Sequence, residues 1–389
     1  MIEKSRVPAL EIPLQREESA HEPLTYWQLV WRRLRRHRLG VIGGVVVGIL
    51  VFIALFADFL SPYDYATQQR QFLFASPTVV HFFSDQGFSI QPFVYGLREI
   101  TDPVTFQQYY VEDHTKKYPI YFFIQGEPHK VLGLIPTRLR LFGTAQPINT
   151  LGQIFIFGTD KFGRDVFSRT LIGSRVSLAI GPFSLIISLF LGILFGGLSG
   201  YLGGWVDMLI QRLIEVIQSF PQLPVFLALA YVLPPGWSPT LVFFGIIFIF
   251  SFIGWTGLAR VLRGQFLALR EQEFALAAKA VGASNLRIIF KHLVPNTMSY
   301  LIVISTLAIP ATILGESGLS FLGLGIREPM TSWGLLLQQA NSIPTLTLYP
   351  WLFIPSTFIV ISVLAFNSLG DALRDAFDPF SIQGGRTRT

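Results

Sequence analysis

The sequence predicts an all-α polytopic membrane protein with six transmembrane helices and a small β-rich external insert between the first and second spans. Three observations lead there. Of 389 residues, 51% are hydrophobic and only 14% are charged, with a mean hydropathy of +0.50, far from the composition of a soluble domain. Six apolar runs recur along the chain, each about 20 residues, the length that crosses a bilayer as helix. Residues 61–175 hold no such run, and their aromatic stretches are separated by Gly126, Pro128 and Gly133 in the manner of short strands.

Residues 1–38 make an N-terminal tail ending in Arg32, Arg33, Arg35, Arg36, His37 and Arg38. Asp58 and Asp64 flank the far end of the first span, residues 39–60. The positive-inside bias therefore places the tail in the cytoplasm. The run is too long for the apolar core of a cleaved signal peptide and begins nearly forty residues in, so it reads as a retained anchor.

The external insert carries Phe82-Phe83, Tyr109-Tyr110 and the run Tyr118 to Ile124 as candidate strands. Its basic residues, among them Lys116, Lys117 and Arg138, do not overturn the topology, because long loops translocate largely regardless of charge. A five-helix core follows over residues 176–371, with spans at 176–201, 206–233, 240–262, 297–319 and 349–369. The span 206–233 is the least regular of these: Arg212 and Glu215, in its first turns, stand three apart on one helix face and are expected to pair, and Pro221 and Pro224 interrupt it. The C-terminal tail, residues 372–389 with Arg374, Arg386 and Arg388, returns to the cytoplasm.

Between the fourth and fifth spans, residues 271–296 form a helical hairpin on the cytoplasmic side, where Arg260, Arg263, Arg270, Lys279, Arg287 and Lys291 gather. Glu271 and Glu273 sit where negative charge favours a helix start, Lys279 falls in the last turn, and Gly282 ends the helix in a left-handed conformation. Ser284 caps a second helix, which Pro295 stops. Ala275, Ala277, Ala278 and Ala280 give the first helix little bulk, so another surface can approach it closely. A mere connector needs no such structure.

Three further motifs complete the pattern. Gly158-Thr159-Asp160-Lys161-Phe162-Gly163-Arg164-Asp165 precedes the second span. It lacks the acceptor density of a calcium loop, and Lys161 and Arg164 can neutralise its acids, so a salt-bridged turn is expected. The glycine-rich stretch Leu314 to Gly325 closes the fifth span. There Glu316, as an acid near a span end, is expected to face water or a partner. Ser332 then caps a short interfacial helix anchored by Trp333. The last motif, Asn367 to Pro379, is an amphipathic close to the final span.

The exclusions are equally informative. With no cysteine, disulfides and thiolate sites are ruled out. No metal-spaced histidines, catalytic triad or phosphate-binding glycine loop is present, so the chain itself should be neither an enzyme nor a cofactor protein. The formal charge of +6 lies beside apolar spans, which favours membrane lipid over nucleic acid as its partner. A stand-alone secondary transporter would need intramembrane ionisable groups and an internal repeat, and neither is evident.

These four motifs, in this order, resemble the inner-membrane permease subunit of peptide-type, binding-protein-dependent ABC importers. The resemblance is to the dipeptide/oligopeptide branch, and to the partner whose external segment carries GTDxxGRDxxSR, here Gly158 to Arg169. It implies a multi-pass protein of a bacterial or archaeal inner membrane, paired with a second permease, two ATP-binding subunits and an external solute-binding protein. ATP and Mg would be bound by the partner ATPases. The hairpin matches the family's coupling loop, with Ala277, Ala278, Gly282 and Pro295 on its motif and Glu273, Lys279 and Ser284 beside them. Asp160, Gly163, Arg164 and Asp165 mark the external segment. Di- or oligopeptides are the implied cargo, though relatives of this branch also carry nickel, glutathione or oligosaccharides. Two departures stand out: Leu276 occupies the position where the wider superfamily places a glutamate, and the external insert is longer than a minimal member needs.

Overall fold

The computed structural model describes residues 25–377 apart from 85–86, 105–107 and 132. Asp378, Pro379, Arg386 and Arg388 lie outside the described residues. The helices are α1 (Tyr26–Arg36), α2 (Arg38–Leu60), α3 (Val166–Leu202), α4 (Gly204–Gln218), α5 (Gln222–Val232), α6 (Pro239–Leu269), α7 (Glu273–Ala280), α8 (Asn285–Ile288), α9 (Val294–Phe321), α10 (Trp333–Gln338), α11 (Ile343–Leu348) and α12 (Pro355–Phe377). Four strands follow α2: β1 (His81–Ser84), β2 (Gly87–Thr101), β3 (Gln108–Val131) and β4 (Ile135–Thr144).

Among the described residues five helical runs are long and apolar enough to cross a membrane: α2, α3, α6, Asn285–Phe321 and Pro350–Phe377. A sixth candidate span is α4 and α5 together, bent by 84°. The break falls at Pro221, with Pro224 in the first turn of α5, as expected where proline removes the helical donor and crowds the preceding turn. Arg212 and Glu215 do pair, at 2.6 Å, on an exposed face of α4.

The spans pack through small residues. Gly192, Gly196 and Gly200 recur every four residues on α3 and lie directly against α6. A Cβ on Gly196 would stand 2.7 Å from the Ala259 carbonyl oxygen, and one on Gly200 2.7 Å from that of Arg263. Only glycine allows the two backbones so close, which is how helices associate where lipid offers no hydrophobic drive. Gly43 plays the same part between α2 and α12, facing the Ala365 carbonyl.

The described residues of the N-terminal tail include a helix, α1, that the sequence did not announce. In α1 the Thr25 amide is bonded by the Gln28 side chain at 2.9 Å, and Val30 is buried against Ala376 and Phe377 of α12. Trp27 and Trp31 remain exposed beside the arginines, the make-up of a helix lying along a membrane surface.

The insert is one antiparallel sheet in the order β1-β2-β3-β4. Its strands are longer than expected. β3 runs unbroken through Tyr109-Tyr110 and Tyr118 to Ile124, pairing with β2 up to Pro119 and with β4 from Ile120. Gly126 and Pro128 do not end a strand; they sit in a bulge between Gln125 and His129, the place in a sheet where a residue without an N–H is tolerated. Gly133, with φ +72°, does make the turn into β4. Tyr63, Phe72, Val94, Leu97, Ile120, Ile154 and Phe155 form the core beneath the sheet. Arg140 is buried there too and donates to the Ser61 carbonyl at 2.8 Å, tying β4 to the end of α2.

Candidate functional site

The hairpin ends α7 as its sequence predicts. Gly282 has φ +83°; its N–H donates to the Lys279 carbonyl at 3.0 Å, and that of Ala283 to the Ala278 carbonyl at 3.1 Å. This pair of bonds closes the last turn of α7 and satisfies carbonyls that would otherwise be orphaned. Glu273 lies in the first turn and Lys279 in the last, each at the end of the helix dipole that its charge favours.

Three expectations for the hairpin change. Ala278 does not face outward. It is buried with Ala275 against Leu262, Phe266, Ile288, Ile289 and Leu293, because α7 folds back onto the ends of α6 and α9. A bulky residue at 278 would therefore overpack the chain's own core, at about 1–3 kcal/mol. Ser284 has the backbone geometry of a cap, but its side chain makes no capping bond. Pro295 does not stop the helix either. The chain widens into a π turn at Ile289–Leu293 and continues straight into α9; the wider turn makes room for a ring that would otherwise strike the preceding carbonyl.

What α7 turns outward is apolar. Phe274, Leu276 (49% exposed), Val281 (85% exposed) and Leu286 are accessible, with Glu273, Ala277, Lys279 and Arg287 exposed around them. A polar-rimmed apolar face of this kind is a candidate interaction surface.

The segment before α3 is a joint made of ions. Asp160 accepts from Arg164 Nε at 2.8 Å and Arg169 Nη1 at 2.7 Å. The same two guanidinium groups reach Glu328, each at 2.8 Å. Asp160 also takes the backbone N–H groups of Phe162 and Arg164. Gly163 has φ +72° and lies so close to Gln69 that a Cβ would run into its carbonyl. Lys161 is not part of the network: its ammonium rests over the Phe162 ring at 5.0 Å. Arg169 takes the place expected of it, and Glu328, far along the chain, completes the set. The expected salt-bridged turn is therefore a four-residue cluster that fastens the start of α3 to the loop after α9. Among the described residues no group of histidine or acid side chains could hold a metal ion.

Asp165 caps α3, accepting the Ser168 N–H at 2.8 Å and its hydroxyl at 2.6 Å. Burial pushes its carboxyl from 3.8 up to about 7, with the Ser168 bonds opposing and Asp160 adding to the rise. The fold thus favours the protonated form. Stability from this group is full below the ordinary value and is lost as pH rises through about 7. Asp165→Asn keeps the cap and removes the ionisation. Its melting temperature in detergent should therefore fall less than that of the wild type as pH rises from 3.8 to about 7; equal slopes would mean that Asp165 is charged throughout.

Two residues near the end of α9 also differ from expectation. Glu316 is fully buried, accepting from Ser320 at 2.7 Å and Ser177 at 3.3 Å. Trp333 is no interfacial anchor: it is buried, and its indole N–H donates to the Thr170 carbonyl at 3.0 Å. Ser332 does cap α10 through the Leu335 N–H. Gly334 then lets α10 press against Ser317, which encloses the Glu316 carboxyl between α3, α9 and α10.

Comparison with known proteins agrees with this architecture. The family described as binding-protein-dependent transport system inner membrane component matches residues 192–382, and the N-terminal TM domain of oligopeptide transport permease C matches residues 25–77. The oligopeptide transport system permease protein OppC of Bacillus subtilis is 31% identical over 364 residues, which span 93% of this chain and 92% of that protein. The dipeptide transport system permease protein DppC of the same organism is 45% identical over 225 residues, covering 57% and 68% of the two chains. OppC of Haemophilus influenzae is 43% identical over 231 residues, covering 59% and 72%. With the broken span, the hairpin and the ion-paired joint all present, the chain belongs to the inner-membrane permeases of binding-protein-dependent ABC transport systems, in their oligopeptide and dipeptide permease branch.

Proposed function

We propose that this chain carries di- or oligopeptides inward by alternating access, as one half of a permease heterodimer driven by two ATPases. Family membership makes it a multi-pass, non-catalytic inner-membrane subunit that works with ATPase and binding-protein partners. ATP and Mg bind to the ATPases. Both termini and the hairpin lie in the cytoplasm, and the β-sheet insert lies outside.

The observation that carries this reading is the outward face of α7. Ala275 and Ala278 anchor it inward while Phe274, Leu276 and Val281 stand exposed, so the hairpin is built to be gripped by another protein. Glu273, Ala277, Lys279, Gly282, Ser284 and Pro295 define its shape and charge. Leu276, at the position where the wider superfamily places a glutamate, replaces an ionic docking contact with an apolar one. ATP-driven closure then acts through contacts that differ between the two ATPase states, since only differential contacts shift an equilibrium.

Single cysteines test both orientation and docking, and the absence of native cysteine keeps the background clean. Ser284→Cys should react only from the inner side and be shielded when the ATPases bind. Gln125→Cys should react only from the outer side. Labelling of both from one side, or a hairpin equally reactive with and without the ATPases, would sink the proposal.

A further inference from the structure

Between α3, α5, α6 and α9 lies a partly enclosed cavity of about 460 Å³, within the size range of small-molecule sites. None of the described side chains lining it is charged; its polar groups are Ser184, Ser188, Gln222, Tyr300 and Thr312. Neither Gln222 nor Tyr300 makes a side-chain hydrogen bond to another described residue, so the bonding capacity of both is free.

Two observations separate this space from a packing defect. The first is its position at the break between α4 and α5. A recess of about 270 Å³ on the other side of that break shares Gln222 and Ile253 with the cavity. Ser219, Phe220, Pro221 and Gln222 are all exposed. Irregular backbone at membrane depth persists only where protein buries it or it borders a watered space, and this chain does not bury it. The second is Gly257, in the middle of α6 and on the cavity wall. Nothing lies within 4 Å of where its Cβ would be. A glycine weakens a helix interior, and here no neighbouring atom among the described residues requires one. Its effect is to leave the cavity open.

We propose that this cavity is a subsite of the translocation path. It takes a short stretch of peptide backbone, bonded by the amide of Gln222 and the hydroxyl of Tyr300, and it does not discriminate among side chains by charge. Peptide N–H and C=O groups match these uncharged donors and acceptors. A charged wall would favour one sign of cargo and repel the other; this wall does neither. The proposal rests on the peptide-permease reading above.

The test uses the whole importer in proteoliposomes, with uptake of trialanine and of its central-lysine and central-glutamate counterparts. Gly257→Trp should reduce uptake of all three by roughly tenfold or more, since an indole fills the space. Gly257→Ala should stay close to wild type, and so should Gly48→Trp, an equally open glycine on α2 outside the cavity. Tyr300→Phe, which keeps the shape and removes the hydroxyl, should lower uptake severalfold while the partner subunits stay bound. Normal uptake by Gly257→Trp would overturn the subsite. So would loss of the second permease from that variant on purification, which would make this face a helix-docking surface instead. A block confined to one charge type would overturn the indifference to charge. If the wild type shows no binding-protein-dependent peptide uptake, the failure lies with the peptide reading itself.

Discussion

Replacing Asp160 with leucine is expected to destabilise the protein by about 3–5 kcal/mol, the consequence of removing one partner from a buried ion pair. Asp160 and Arg169 are both almost fully buried, and Arg164 nearly so. Without the carboxylate, the two guanidinium groups keep Glu328 as their one ionic partner among the described residues, and its side chain is 42% exposed and holds them from the wet side. The backbone N–H groups of Phe162 and Arg164 lose their acceptor as well. Asp160→Asn should fall between leucine and the wild type, because it retains an acceptor for the N–H groups and loses the charge. Thermal unfolding in detergent reads both. A leucine variant that melts with the wild type would show that the cluster contributes nothing to the joint between α3 and the loop after α9.

Gly282→Val should distort the hairpin by about 1–2 kcal/mol, the penalty of a left-handed conformation for a side chain with a Cβ. Among the described residues no other atom, chain neighbours aside, lies within 4 Å of the Cβ position. The spans should therefore fold and insert normally, and the damage should stay local. In the assembled importer the expected result is loss of the ATPases on purification, or ATP hydrolysis no longer matched by uptake. Gly282→Asn should be milder, because asparagine visits the left-handed region more readily. A valine variant with normal uptake per ATP hydrolysed would reduce α7 to a connector.

Much of this molecule is legible in its sequence because bilayer and backbone impose local rules. Span length, the arginines before α2, the prolines that split α4 from α5 and the glycine that ends α7 each act within a few residues. The parts that could not be read depend on distant neighbours. Nothing near Glu328 announces that it meets Arg164 and Arg169, more than 150 residues earlier in the chain. Glu316, an acid near a span end, reads locally as facing water or a partner, but α10 folds over it and buries it. Ala278 and Ala277 are chemically identical, and only the packing of α7 on Phe266 and Ile289 decides which is buried. In the insert, Pro128 signals a strand end locally, but the Gln125–His129 bulge absorbs it and the ladder carries on.

The π turn before Pro295 has a mechanical consequence. Because the helix is not interrupted there, Asn285–Phe321 is a single run of 37 residues, a strut roughly 55 Å long at the helical rise. A loop between α8 and α9 would act as slack, taking up displacement in its own torsions. A hydrogen-bonded rod has little slack to offer. One end of this strut sits beneath α7 and the other carries Glu316 and Ser320 against α10. A push on the hairpin would therefore arrive at the far end as a tilt of the whole rod, with Pro310 a point inside α9 where a missing backbone donor lets it flex.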